Sequence, residues 1–200
     1  MRYNLKKMSE FKFNPRTAIL LLIIVAISLI RVAAPLSDNF KEIANFSAVG
    51  AIALFGGAYF NNNYKAFGFP LLLLLLSDIF IAKTSGYGFF YAGWYWTYIA
   101  FVLMVLVAKL IIKKVTVLSF LGAAVLAVLV HWIVADIGVM YFPGLYEPTL
   151  AGYIKCLGAA IPYERLFLYG TLAYGVIMFG AFEVLRAKYP SLSLSANTAV

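Results

Sequence analysis

Apolar sequence in blocks as long as a bilayer is thick constrains this chain more than any other feature. A segment in hydrocarbon finds no water for its backbone N–H and C=O groups, so it must satisfy them internally, as a helix does. Residues 17–34 are apolar apart from Ser28 and Arg31, and residues 64–82 hold six consecutive leucines ahead of Ser77 and Asp78. Further blocks cover residues 45–60, a stretch that ends at about Ile112 before Lys113-Lys114, residues 116–140 and residues 165–185. At ~20 residues each, six such blocks match a hydrocarbon core ~30 Å thick. The expectation is an all-α membrane protein, a bundle of six transmembrane helices.

Composition excludes the soluble classes. Hydrophobic residues make up 64% of the chain and charged residues 12%, against roughly 45–50% and about 25% in a soluble domain. The basic excess, +8, sits at the flanks of apolar blocks, which points to membrane topology and anionic headgroups and not to nucleic acid. Residues 1–16 read as a basic cytoplasmic segment, residues 17–188 as one transmembrane domain and residues 189–200 as a disordered tail. A cleaved signal peptide is the rival for the first block, but the block is long for that and Arg31 is badly placed before a cleavage site. With a cytoplasmic N-terminus, the inside collects that basic segment with Lys65, Lys109, Lys113, Lys114, Arg186 and Lys188. The outside keeps Arg31, Lys41, Lys83, Lys155 and Arg165, so both termini are expected inside.

Residues 45–60, NFSAVGAIALFGGAYF, are apolar yet poor in large aliphatic side chains on one side. Small residues let helix backbones approach closely, a main source of attraction between helices in lipid. This stretch is expected at the centre of the bundle. An aromatic cluster from Phe89 to Tyr98 marks the interface where the fourth span begins. Pro162 divides a short segment, residues 150–161, from the sixth span.

Polar groups inside spans are expensive and therefore candidates for function. In this topology Asn45, Ser77, Asp78, Trp94, Trp96, Trp132 and Asp136 all fall towards the outer face, as substrate-binding candidates. Glu147, Lys155, Glu164 and Arg165 lie on the same side. Trp132 and Asp136 share a helical face at i,i+4, with His131 directed elsewhere. Asp78 has a second reading, as an interfacial acid paired with Lys83 or Arg31. His131 reads as a packed, hydrogen-bonded histidine, because no second ligand stands at metal-binding spacing. Cys156, the single cysteine, reads as a small buried hydrophobe. No nucleotide-binding loop, nucleophile elbow or metal motif is present, so no cofactor and no enzymatic activity are expected.

Residues 45–60, residues 70–78 (PLLLLLLSD) and residues 145–170 (LYEPTLAGYIKCLGAAIPYERLFLYG) together resemble an uncharacterised family of small bacterial membrane proteins provisionally assigned to transport. That family is similar to the S-components of energy-coupling-factor transporters, six-helix proteins that bind vitamins near the outer face, and to the solitary cobalamin transporter. The resemblance implies a vitamin or corrinoid-like ligand taken up across a bacterial inner membrane, by the chain alone or with an energy-coupling ATPase module. The chain departs from the S-component pattern in lacking an alanine-x-x-x-alanine pair in residues 17–34. Where such proteins carry an asparagine and a tryptophan in the fifth helix, it has Ala135-Asp136. Two other readings stand beside this one. The chain is a structural or assembly subunit of a membrane complex, or, more weakly, an intramembrane enzyme using His131 with Asp78 or Asp136.

Overall fold

The computed structural model describes residues 14–33, 46–85, 93–141 and 144–193. Among these residues the chain is all-helical: α1 Pro15–Ala33, α2 Val49–Tyr59, α3 Asn63–Ser85, α4 Trp94–Ile111, α5 Val117–Met140 and α6 Leu150–Lys188. Four of them, α3 to α6, are long and apolar enough to cross a membrane.

α1 starts with Pro15 in its first turn, where a missing N–H costs nothing, and the Asn14 Oδ1 accepts from the Thr17 N–H at 3.1 Å. Arg16, expected in a solvated basic segment, therefore lies inside this helix and is buried. It donates to the carbonyls of Tyr59 (3.0 Å) and Leu192 (2.6 Å), and its guanidinium lies 5.1 Å from the Phe182 ring centroid. Of the expected tail only residues 189–193 are described, and residues 194–200 lie outside the described residues. Pro190–Leu192 forms a 3-10 turn, because burial of Leu192 and the bond to Arg16 hold it against the bundle. Nearby, the Tyr59 hydroxyl donates to Glu183 at 2.6 Å, and Glu183 pairs with Arg186 at 2.5 Å. These groups close one end of the bundle.

α2 is the centre of the structure. Ten of its eleven residues are buried, and it touches all five other helices. Its small residues allow this. A Cβ on Gly50 would fall on the Thr171 side chain of α6, and one on Gly57 would collide with the backbone of α4 at Val105 and with Ala108. The span expected over residues 45–60 is thus shorter as a helix. At ~1.5 Å per residue α2 covers only about 16 Å, roughly half the hydrocarbon thickness. Residues 46–48 precede it without helical structure.

The two prolines behave differently from the expectation that Pro162 divides the last block. α3 runs through Pro70, whose ring fills the space left by Gly56 of α2, and α6 runs unbroken through Pro162 for 39 residues. Each proline removes one backbone hydrogen bond. Helices in a bundle tolerate that loss where neighbouring groups support the turn. The residue four before Pro162, whose carbonyl loses the bond, is Gly158, with nothing packed against it.

α5 begins with a capping box in which Thr116 and Ser119 satisfy each other's backbone N–H groups. It then packs antiparallel to α6. Phe120 lies against Gly175 and Phe179, His131 against Glu164 and Phe167, and Asp136 against Cys156. The ends of α5 and α6 beyond His131 and Glu164, with the start of α4, form the other end of the molecule.

Candidate functional site

At that end a cavity of about 650 Å³ opens between three helices and a loop. α4 contributes Gly93 and Thr97; α5 contributes His131, Ala135, Asp136, Gly138 and Val139. Tyr146 lines it from the α5–α6 loop, and Cys156, Ala160, Tyr163 and Glu164 line it from α6.

The local sequence explains why the helices meet there. Gly93 caps α4 with φ +79°, a left-handed conformation that a side chain resists, and its backbone lies directly against Gly138. A Cβ on either glycine would strike the other's backbone. This contact pins the start of α4 to α5. On the α6 side, the Trp132 indole N–H donates to the Leu157 carbonyl at 3.1 Å, and the Tyr153 hydroxyl donates to the Ile133 carbonyl. Two aromatic donors thus fasten α5 to α6 beside the cavity, leaving the face between them to small and acidic side chains.

The acidic groups are unevenly satisfied. Glu164 Oε1 lies 3.0 Å from His131 Nδ1, and the imidazole packs at a tilt on Phe167, ring centroids 4.5 Å apart. Glu164 Oε2 and Asp136 Oδ2 are buried with no hydrogen-bond partner among the described residues. Asp136 is only 7% exposed although it lines the cavity. No lysine or arginine is among the lining residues. Among the described residues, no three His, Cys, Asp or Glu side chains converge as a metal site requires.

The residues expected to bind substrate divide among several places. Asp136 lines the cavity. Ser77 and Asp78 belong to a separate cluster, in which Arg31 donates to the Ser77 hydroxyl and, at 2.8 Å, to Asp78 Oδ1. The Tyr98 hydroxyl donates to Asp78 Oδ2 at 2.9 Å, so both carboxylate oxygens are satisfied. The pairing of Asp78 with Arg31 was one of its two sequence readings. The void beside Ser77 measures about 10 Å³, water-sized and far too small for an organic ligand. Trp94 packs edge-on against Tyr95 and Tyr98, and Trp96 lies beside Gly138. Neither lines the cavity, and Trp132 is turned aside to Leu157. Asn45 lies outside the described residues.

His131 reverses the expected geometry, because it and not Trp132 shares the cavity with Asp136. Residues 131, 135 and 138 form the i, i+4, i+7 stripe that faces the cavity, and Asp136 and Val139 flank it. His131 is hydrogen-bonded and ring-packed, as expected. Glu164 and Cys156 were visible as residues of the outer group and of a small-residue segment. Only the unbroken α6 brings them opposite α5.

The sequence profile of a family of unknown function (DUF6580) matches residues 11–192. No curated protein and no solved structure matches the chain.

Proposed function

We propose that this chain, which belongs to the family of unknown function DUF6580, is a membrane transport protein that binds a small organic nutrient in the α4–α5–α6 cavity. The observation that carries this reading is the cavity itself. Its volume of about 650 Å³ falls within the ~300–1,000 Å³ typical of sites for drug-sized ligands, and few polar groups converge on it. That size favours a vitamin-sized molecule over a whole corrinoid.

The finer topology is part of the proposal. Six crossings with both termini inside a bacterial inner membrane agree with the placement of the basic residues. The sixth crossing requires α2 to span together with the non-helical residues beside it. The cavity then opens to the outside, where a nutrient is captured. The transport half of the reading draws on the resemblance to S-components and to the solitary cobalamin transporter. With no nucleotide motif in the chain, uptake would need reorientation of the bundle or a partner ATPase module.

Native mass spectrometry of the gently purified protein, with identification of any small molecule it retains, tests this function. One organic molecule per chain is expected. A chain that carries no small molecule but holds one protein partner in stoichiometric amount would replace the proposal with the assembly-subunit reading.

A further inference from the structure

We infer that the cavity selects an organic cation, an amine or quaternary ammonium group held between Asp136 and Glu164. The inference rests on the binding reading above and names its ligand class. Asp136 on α5 and Glu164 on α6 approach from different helices, and each keeps one buried carboxylate oxygen without a partner among the described residues. Taking a carboxylate out of water is costly unless a charge or donor meets it. Elsewhere in this fold the acids are met: Asp78 has Arg31 and Tyr98, and Glu183 has Arg186 and Tyr59. Neither cavity acid has a lysine or arginine partner among the described residues, and Glu164 has only the His131 imidazole beside it.

The charge of the lining points one way. His131 supplies at most one positive charge, and it already faces Glu164 Oε1. With both acids ionised, the lining is net negative whichever form the imidazole takes. Lys155 and Arg165, the nearest basic residues along α6, are exposed and do not line the cavity. A metal ion fits less well, since no three ligating side chains converge among the described residues. An ammonium group needs no such coordination. It needs carboxylate oxygens and ring faces, and Tyr146 and Tyr163 line the same space.

Cys156, the only cysteine in the chain, is buried at the cavity wall, so the potential is reported without knowledge of the ligand by Ala160→Cys, at a half-buried lining position, in a Cys156→Ser background. The intact protein is treated in lipid nanodiscs with three thiol reagents: cationic trimethylammonioethyl methanethiosulfonate, anionic sulfonatoethyl methanethiosulfonate and neutral methyl methanethiosulfonate. Each rate is divided by that reagent's rate with the denatured chain, which removes intrinsic reactivity. The cationic reagent should exceed the anionic one by roughly tenfold or more, the effect of a cleft lined by one sign of charge. Asp136→Asn with Glu164→Gln should bring the ratio close to one while the neutral rate stays within about twofold. A ratio near or below one in the native protein overturns the cation inference and leaves the binding cavity standing. If the neutral reagent also fails to react in the Ala160→Cys chain, the open cavity is refuted and both readings fall.

Discussion

Two aspartates show how the same residue type does different work. Asp78 accepts from Arg31 and Tyr98, so it ties α1, α3 and α4 together, whereas Asp136 lines a cavity and keeps one buried oxygen without a partner among the described residues. Asp78→Ala strands a partly buried guanidinium and should cost about 1–3 kcal/mol of stability, seen as a lower unfolding temperature in detergent. Asp136→Asn should leave that temperature nearly unchanged and abolish or sharply reduce retention of the bound molecule. The reverse pattern would exchange their roles. Trp132→Phe keeps the ring but loses the bond to Leu157, so a loss of about 1 kcal/mol is expected, without the large effect of a ligand-stacking residue on binding. Intramembrane acids and aromatics stood out in the sequence because they are rare and costly. Which acid was paired was not legible, since Arg31 and Asp78 are far apart along the chain and meet only when α1 packs on α3.

At the level of the helix, composition spoke clearly and periodicity did not. The small residues of α2 foretold its central place, and the structure packs all five other helices around it. Gly57→Val should destabilise by about 1–3 kcal/mol or more through collision with Val105 and Ala108, measured as loss of monodisperse protein on heating. Gly122→Ala, with nothing packed near it, is the control and should be neutral or slightly stabilising. Equal behaviour of the two variants would remove α2 from the centre of the packing. The continuity of α6 was hidden by Pro162, because a proline usually marks a helix boundary and its local signal is the same when tertiary contacts carry the helix through it. That misreading concealed the site, since Cys156 and Glu164 reach α5 from two sides of that proline on one rigid element.

For the whole molecule, one end is closed and the other open. Arg16, Tyr59, Glu183 and Arg186 seal the first, while the cavity between α4, α5 and α6 occupies the second. In the proposed topology the closed end faces the cytoplasm and the open end the outside. Reporter fusions after residue 193 and in the α5–α6 loop at Gly144 should give opposite sides, with the C-terminal fusion cytoplasmic. The same side for both would break the six-crossing topology. The all-helical architecture was readable from apolar block length alone, because the bilayer fixes that length. The cavity was not, because it forms only where α4, α5 and α6 meet through contacts distant in sequence, such as Gly93 against Gly138. The most direct test compares the molecules retained by the wild-type chain and by Ala160→Trp, purified identically and analysed by native mass spectrometry. Ala160 lines the cavity, and an indole there would fill it. One small molecule per wild-type chain, absent from the filled variant, is the predicted result. The same molecule retained equally by both would place binding elsewhere and contradict the account.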